Sequence, residues 1–454
     1  MAALLNTFEH KELDDFLENS SGDMWLGLSG GLDSVVLLHL LFHKLSSMSS
    51  GVREEISHGT FSRLKVIHIN HALSPNADSW QQFCADICRQ YNIYFESHKV
   101  AVRQKSQSIE EAARIARYDV FVRQLKKNDA LLLAHHANDQ AETILFRLLR
   151  GTGTKGLAGI PDSRVLGEGK IIRPLLAHVK EQLHLYADYH QLSWVEDESN
   201  LNTQYSRNFI RHRIMPVLEE FEPQAAQRFT QAASRVAFDY RMLTRFALEA
   251  LTQYKAADGS LWLSKLVTYS LDEKVFWLRH YLQELSISLT QPQLLELEQS
   301  MFSASDRQPC FLFADGRLMR YQERLYVLPN DAAITLGDLL AGESFARQFD
   351  DITLKIIKRS VENSVEEENF SLGKRPDGMS ITLANGHSRK LKKWLNDKSV
   401  PLWWRDHLPY IFYRQQLVAI GSLWVTPELK DSIDITWSLN GGLPWPKVCD
   451  EGNT

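Results

Sequence analysis

The sequence predicts an α/β protein: an N-terminal domain built on a doubly wound parallel sheet, followed by smaller helical and α+β C-terminal domains. Three observations carry that prediction. Short apolar runs suited to buried strands alternate with helical patterns from Met24 to Ala134, and strands and helices alternating at these lengths form right-handed βαβ units around a parallel sheet. The first strand runs directly into Ser29-Gly30-Gly31-Leu32-Asp33-Ser34 and then a second apolar run, Val35–Phe42, which is the strand–turn–helix layout of a phosphate cradle. Beyond Met215-Pro216 the alternation stops, and long helical segments continue to about Tyr254.

In chain order, residues 1–20 read as a short amphipathic helix, Trp25–Leu28 as the end of a buried strand and Val35–Phe42 as a buried helix. Ser46–Phe61 is rich in Ser and Gly and is expected to be a surface loop. Leu64–Asn70 is the second strand, with His71–Asn76 its outgoing loop; Asp78–Tyr91 is a helix and Ile93–Val100 the third strand. Ser108-Ile109-Glu110-Glu111 has the form of a capping box opening a helix to about Lys126. Ala130–Ala134 is the fourth strand and ends at His135-His136. Ala141–Arg150 follows as helix, Gly151–Gly159 as a mobile glycine-rich loop, Val179–His190 as helix, and Trp194–Arg213 as a polar loop running into another helix. Leu261–Pro329 mixes helix and strand, with Cys310–Phe313 and Arg324–Val327 expected to form a hairpin around Ala314-Asp315-Gly316. Asn330–Ser344 reads as a linker. The expected domains are therefore 1–216, 217–335 and 345–454.

A chain of 454 residues is long enough for about two to four domains. Its 44% apolar and 24% charged residues are ordinary for a soluble globular protein. The net charge of −5 gives no global basic signature, so any nucleic acid must be held by local patches. Cys84, Cys88, Cys310 and Cys449 form neither a CxxC pair nor a dense framework, which fits a reducing cytoplasm. The N-terminal stretch lacks the basic start and apolar core of a signal peptide. Apolar runs stay well under the roughly 20 residues of a membrane span, so no membrane partner is expected. A homodimer is one arrangement compatible with the sequence.

In Ser29–Ser34 two glycines let the backbone approach an anion and adopt positive φ. The following helix aims free N–H groups and a partial positive charge at that anion. Ser29 and Ser34 add hydroxyl donors. Asp33 would repel a phosphate unless Mg²⁺ lay between them, which makes it the candidate metal ligand. Two other phosphate motifs are excluded. Gly151 and Gly156 have Walker spacing but Leu157 follows. The GxGxxG at Gly151, Gly153 and Gly156 follows a helix rather than a strand.

Ligands of such sheets sit at the carboxyl ends of the strands, which places the Ser29–Ser34 turn, His71 and His135–Glu142 along one crevice. Asp139 and Glu142 are three apart and share a helical face; together they could bind an ammonium or, with Asp33, a metal ion, or could be ordinary first-turn residues. Arg114 and Arg117 share a face of their own. They could pair in solvent with Glu110 and Glu111, or neutralise a phosphoryl group in transit. Asp197-Glu198-Ser199-Asn200 followed by Arg207-Asn208-Phe209-Ile210-Arg211 could add another cationic finger.

The SGGLDS turn resembles the PP-loop of the ATP pyrophosphatase superfamily, whose members split ATP between the α and β phosphates. SGGLDS, then His68–Leu73, EEAARIARY, HHANDQAET, RLLRGTG and SNLNTQYSRNFIRH, in this order, resemble the tRNA(Ile)-lysidine synthetase family over residues 20–220 and again near the C-terminus. One position departs from the pattern: Asp197-Glu198 stand where many members have Asp-Pro. The resemblance implies that ATP adenylates carbon 2 of the wobble cytidine of an isoleucine tRNA with a CAU anticodon, releasing pyrophosphate. The ε-amino group of free lysine then displaces AMP to give lysidine.

On that resemblance Ser29, Gly30, Gly31, Leu32, Asp33 and Ser34 would hold ATP, with Mg²⁺ on Asp33, and His71 and His135 would line the nucleotide or base pocket. Asp139 and Glu142 would hold lysine. Arg114 and Arg207 would stabilise charge on the α-phosphate and activated base, with Arg117 the alternative to Arg114. Towards the C-terminus, Arg375, Arg389, Lys390, Lys392, Lys393, Trp404 and Arg405 interleave cations with aromatics, a pattern that can neutralise RNA phosphates and stack on bases; the other reading is a solvated basic helix beside a core Trp pair. The competing function is another tRNA base-modifying enzyme of the same superfamily, such as a 2-thiolase, which would need a CxxC pair or a reactive thiol beside the turn.

Overall fold

The computed structural model describes residues 8–49, 63–101, 109–198, 206–303, 309–314, 316–329, 345–348, 352–358, 370–383, 385–405, 408–430 and 433–439. They fall into two compact units, 1–243 and 244–454.

The first unit opens with α1 (Lys11–Asn19), β1 (Met24–Gly27), α2 (Leu32–Ser49), β2 (Leu64–Asn70), α3 (Ala77–Gln90), β3 (Tyr94–Lys99), α4 (Ile109–Gln124) and β4 (Ala130–Leu132). The chain goes on through α5 (Ala137–Leu149), α6 (Thr154–Leu157), β5 (Ser163–Leu166), β6 (Gly169–Ile172) and α7 (Lys180–Tyr189). The strands form a six-stranded sheet in the order β3-β2-β1-β4-β6-β5. All neighbours are parallel except β5, which runs antiparallel at the edge against β6. This is the expected doubly wound sheet, extended by an antiparallel edge hairpin that the sequence pattern does not foretell.

Period-2 alternation explains how one strand serves two cores. Met24 and Leu26, with Leu28 just beyond the strand, pack with α1, α2, α3 and α7, whereas Trp25 joins Val120 and Phe121 of α4 and Leu125 just after it on the opposite face. Helix α2 is apolar nearly all round, with Val36, Leu37, Leu38 and Leu41 fully buried, as a helix in the middle of a covered sheet face must be.

Two local expectations change. The α2 helix continues through Ser46–Ser49, so only residues 50–61 of the expected loop remain, and they lie outside the described residues. The Gly151–Gly159 stretch contains the helical turn α6 and is tied down. Arg147 Nη1 donates to Gly156 O (3.1 Å) and Gly159 O (2.8 Å), while Gln140 exchanges two hydrogen bonds with the Ile160 backbone. Ser108 of the expected capping box is outside the described residues.

Past α7 come α8 (Ser206–Phe209), a π-helical turn at Ile210–Ile214, α9 (Met215–Phe221) and α10 (Ala225–Leu251), the last crossing the boundary between the units. The π turn has a local cause: Pro216 lacks the N–H that would continue the α-helical ladder, and the Met215 N–H instead reaches Ile210 O, five residues back.

In the second unit β7 (Leu261–Trp262), α11 (Leu271–Glu284), α12 (Gln291–Phe302), β8 (Cys310–Phe313), β9 (Gly316–Tyr321) and β10 (Arg324–Pro329) share a core around Leu278, Leu297 and Leu318. The sheet order is β7-β10-β9-β8. Cys310–Phe313 therefore pairs with Gly316–Tyr321, not with Arg324–Val327 as expected. The intervening strand is hard to see in the sequence because its burial is not a clean alternation: Leu318 and Met319 are both covered.

Further on are the three-stranded β11 (Phe345–Gln348), β12 (Ile352–Lys358) and β19 (Ile433–Leu439), and the four-stranded β13 (Phe370–Gly373), β16 (Tyr410–Tyr413), β17 (Gln416–Ile420) and β18 (Trp424–Val425). The hairpin β14 (Ser380–Thr382) and β15 (Ser388–Lys390) leads into α13 (Leu391–Asp397) and α14 (Leu402–Arg405). Trp394, Trp403, Trp404 and Tyr410 fill this core together with Tyr326 of β10. The expected linker at 330–344 lies outside the described residues. Among the described residues, no helix is long and apolar enough to cross a membrane.

Candidate active site

The Ser29–Ser34 turn joins β1 to α2 at the carboxyl edge of the central strand. Gly30 adopts φ +90°, and a Cβ there would meet Val195 Cγ2 at 2.9 Å and Cys84 Sγ at 3.1 Å, so glycine is required twice over. The Val195 N–H donates to Gly30 O at 3.0 Å, fastening the turn to the chain beyond α7. Ser34 Oγ donates to Gly31 O (2.9 Å), Ser29 Oγ accepts from the Gly31 N–H (3.3 Å), and the two hydroxyls lie 3.1 Å apart. Ser29 remains exposed while Leu32 and Ser34 are buried. Asp33 Oδ1 is covered and has no hydrogen-bond partner among the described residues.

Facing the turn, the start of α5 carries Asp139 and Glu142. Asp139 Oδ2 accepts the His136 N–H at 3.1 Å, closing the first turn of the helix. The pair is already occupied by a cation of the chain. Arg211 Nε donates to Glu142 Oε1 at 2.6 Å, and Arg211 Nη2 to Glu142 Oε2 at 3.0 Å and Asp139 Oδ1 at 3.3 Å. Burial disfavours the Asp139 carboxylate, yet His136, His135 and Arg211 hold its pKa at about 2. Burial of Glu142, whose side chain is only 3% exposed, pushes its carboxyl above the ordinary value despite Arg211. Asp139 is thus a fixed anion and Glu142 the better proton acceptor.

The two adjacent histidines diverge. His136 is raised, because Asp139 and Asp33 outweigh its burial. Burial of His135, with Arg173, Arg117 and Arg207, pushes its pKa down to about 3 although Asp139 pulls the other way. Burial and Arg117 likewise lower His71 to about 4. Both rings are therefore neutral at pH 7, and each leaves a covered Nδ1 without a partner among the described residues; so does Arg117 with its Nε. Arg207 Nη2 donates to Thr143 Oγ1 at 3.2 Å. Arg114 instead stands in an exposed fork with Glu111, at 2.8 and 2.6 Å.

The charges couple in two overlapping groups: Asp33, Asp139 and Glu142 with Arg211 and His136, and Arg117 and Arg207 with His135, which Asp139 also reaches. The sequence pattern gives His136 no role of its own and names Arg211 only as the end of a possible cationic finger. The signal for Arg211 is its i, i+4 spacing from Arg207, but the π turn decides where it points, and such turns recur at functional sites.

In the second unit Arg375, Lys390 and Lys392 line a cavity of about 270 Å³ with Pro376, Asp377, Gly378, Met379 and Leu391. Lys393 is exposed, and Arg389 pairs with Asp397. Trp404 and Arg405, expected among the RNA-binding residues, are instead buried at 3% and 4% exposure. Arg405 donates twice to Val400 O, so these two support the face from behind.

Cys84 and Cys88 are buried core thiols, pushed up to about 12 chiefly by burial. The Cys84 sulfur lies beside the turn but is not a thiolate at neutral pH.

A PP-loop domain model matches residues 5–218, a TilS substrate binding domain model residues 261–326, and a TilS substrate C-terminal domain model residues 370–440. The tRNA(Ile)-lysidine synthase of Pectobacterium atrosepticum is 32% identical over 414 residues, covering 90% of this chain and 91% of that protein. That of Alkalilimnicola ehrlichii is 35% identical, covering 87% and 88%. Among solved structures, the U34-tRNA thiolase NcsA of Methanococcus maripaludis with its [4Fe-4S] cluster is 16% identical over 50% of this chain and 79% of that chain, with a TM-score of 0.37, too low to carry an argument.

Proposed function

The chain belongs to the tRNA(Ile)-lysidine synthase family, and from that premise we propose that it uses ATP to join free lysine to carbon 2 of the wobble cytidine of tRNA(Ile) with a CAU anticodon. The observation that carries this reading is the Asp139–Glu142 pair, a carboxylate pair that holds a cation and is linked through His136 to Asp33 of the nucleotide turn.

In the first step the cytosine oxygen on carbon 2 attacks the α-phosphorus of ATP, and pyrophosphate leaves. The Gly30-Gly31 backbone, Ser29 and Ser34 hold the phosphates at the helix N-terminus. Arg117 and Arg207 face the developing charge, where a preorganised cation is worth most; Arg117 takes the place offered to Arg114, which is engaged with Glu111 in solvent. In the second step the lysine amine forms the new C–N bond at carbon 2, the C–O bond to AMP breaks, and the amine proton passes to Glu142. His71 and His135 offer neutral ring nitrogens to the nucleotide or base.

Asp33 fits Mg²⁺, because its covered Oδ1 has no other partner among the described residues. Asp33 would hold the Mg²⁺, which would screen the triphosphate charge from that carboxylate. For the C-terminal region we propose that Arg375, Arg389, Lys390, Lys392 and Lys393 meet the tRNA backbone, and that 1–216, 217–335 and 345–454 act as catalytic, helical substrate-binding and RNA-binding domains.

The direct test is mass spectrometry of tRNA(Ile) incubated with enzyme, ATP and lysine. A lysine-dependent mass gain on the anticodon fragment is expected. Sulfur incorporation, or no modification, would refute the reading.

A further inference from the structure

We infer that Arg211 determines which basic amino acid the crevice accepts, admitting a compact primary ammonium and excluding a planar guanidinium. The inference rests on the lysine reading of Asp139 and Glu142.

A carboxylate presenting both oxygens is the natural mate of a guanidinium fork, because two parallel N–H···O bonds match its geometry. Glu142 presents both oxygens, and Arg211 takes both, at 2.6 and 3.0 Å. Were that place empty, free arginine would fit it at least as well as free lysine. The two carry the same charge and the same α-amino and carboxyl groups, so charge alone cannot separate them.

With Arg211 seated, the remaining acceptors no longer form a fork. Asp139 Oδ2 is committed to the His136 N–H, and its Oδ1 keeps one long hydrogen bond of 3.3 Å to Arg211. Glu142 keeps only the lone pairs that the Arg211 fork leaves free, since a carboxylate has more acceptor sites than the two that Arg211 fills. Single oxygens from different residues suit a tetrahedral ammonium, whose three donors rotate freely, and not a second rigid fork. The π turn at Ile210–Ile214 is what sets Arg211 into this place, and Glu142 is almost wholly covered around it.

The test uses the full-length enzyme with tRNA(Ile), ATP and lysine and arginine in competition, with products resolved by mass spectrometry. The wild-type enzyme should add lysine and exclude arginine. In Arg211→Ala the lysine-to-arginine ratio should fall at least about tenfold, the scale a single pocket group controls. Arg211→Lys keeps the charge without the fork and should lose the same discrimination; thermal melts of both variants check their folding. Millimolar methylguanidine should refill the vacated fork and restore the ratio in Arg211→Ala while leaving the wild type unchanged. If both variants still exclude arginine, or lose both amino acids in proportion, or if the wild type adds the two equally, Arg211 has no such role. The lysine reading itself fails separately, when the wild type adds no lysine and Glu142→Gln changes nothing.

Discussion

His136 Nε2 lies 3.6 Å from Asp33 Oδ2 and the same distance from Asp139 Oδ2. One buried imidazole thus stands between the carboxylate of the nucleotide turn and that of the amine pocket. The turn and the pocket are consequently parts of one electrostatic unit, and substitutions in either should separate the two chemical steps in predictable ways.

Asp33→Ala removes the carboxylate beside the phosphates. Pyrophosphate release should fall to background while tRNA retention on a filter stays near wild type. Normal pyrophosphate release would show that Asp33 has no part in nucleotide activation.

Glu142→Gln keeps the shape but removes the proton acceptor and the partner of Arg211. Lysine transfer should slow more than adenylation, so adenylated tRNA accumulates in a quench experiment. Asp139→Asn should weaken lysine binding with less effect on the proton transfer, because Asp139 is too acidic to accept a proton at neutral pH. Equal loss of both steps in both variants would remove the assignment.

Arg117→Gln and Arg114→Gln distinguish two arginines that the sequence treats alike. Loss of the half-buried Arg117 cation should cost roughly a hundredfold or more in kcat for pyrophosphate release. Loss of the exposed Arg114–Glu111 pair should cost little, since exposed pairs contribute about 1 kcal/mol or less. The reverse order would reassign the role to Arg114.

Lys392→Ala with Lys393→Ala should raise the KM for tRNA and reduce the log–log salt slope by roughly 1 for each phosphate no longer neutralised. Trp404→Leu should instead lower the melting temperature, because Trp404 is core. An unchanged salt slope would mean that the basic face does not meet RNA.

Acid should destabilise the fold through His39. Its Nδ1 is hydrogen-bonded to the Tyr186 hydroxyl at 2.8 Å and its Nε2 lies 3.1 Å from that of His43. Burial, with His43 and His190, lowers its pKa to about 4, against about 6.5 in the unfolded chain. The unfolded chain therefore takes up the proton first as pH falls. The stabilising contribution is complete above about pH 6.5 and drains away towards pH 4. Denaturant midpoints between these limits should drop with acid in the wild type and drop less steeply in His39→Gln.

Local structure was legible in the residues alone. Leu64–Asn70 is a strand to the residue, and the Ser29–Ser34 turn lies between strand and helix because apolar period, glycine freedom and helix initiation act over a few neighbouring residues. Pairings across distance and the direction of each face came only from the folded chain. Arg211 meets Glu142 across 69 positions through a π turn. His135 and His136 shift in opposite directions, the Arg117 Nε is covered while Arg114 is exposed, and Trp404 and Arg405 turn inward. Periodicity tells which residues share a face of a helix, but which element that face packs against follows from the whole fold, and with it the burial and charge that make a side chain reactive or inert.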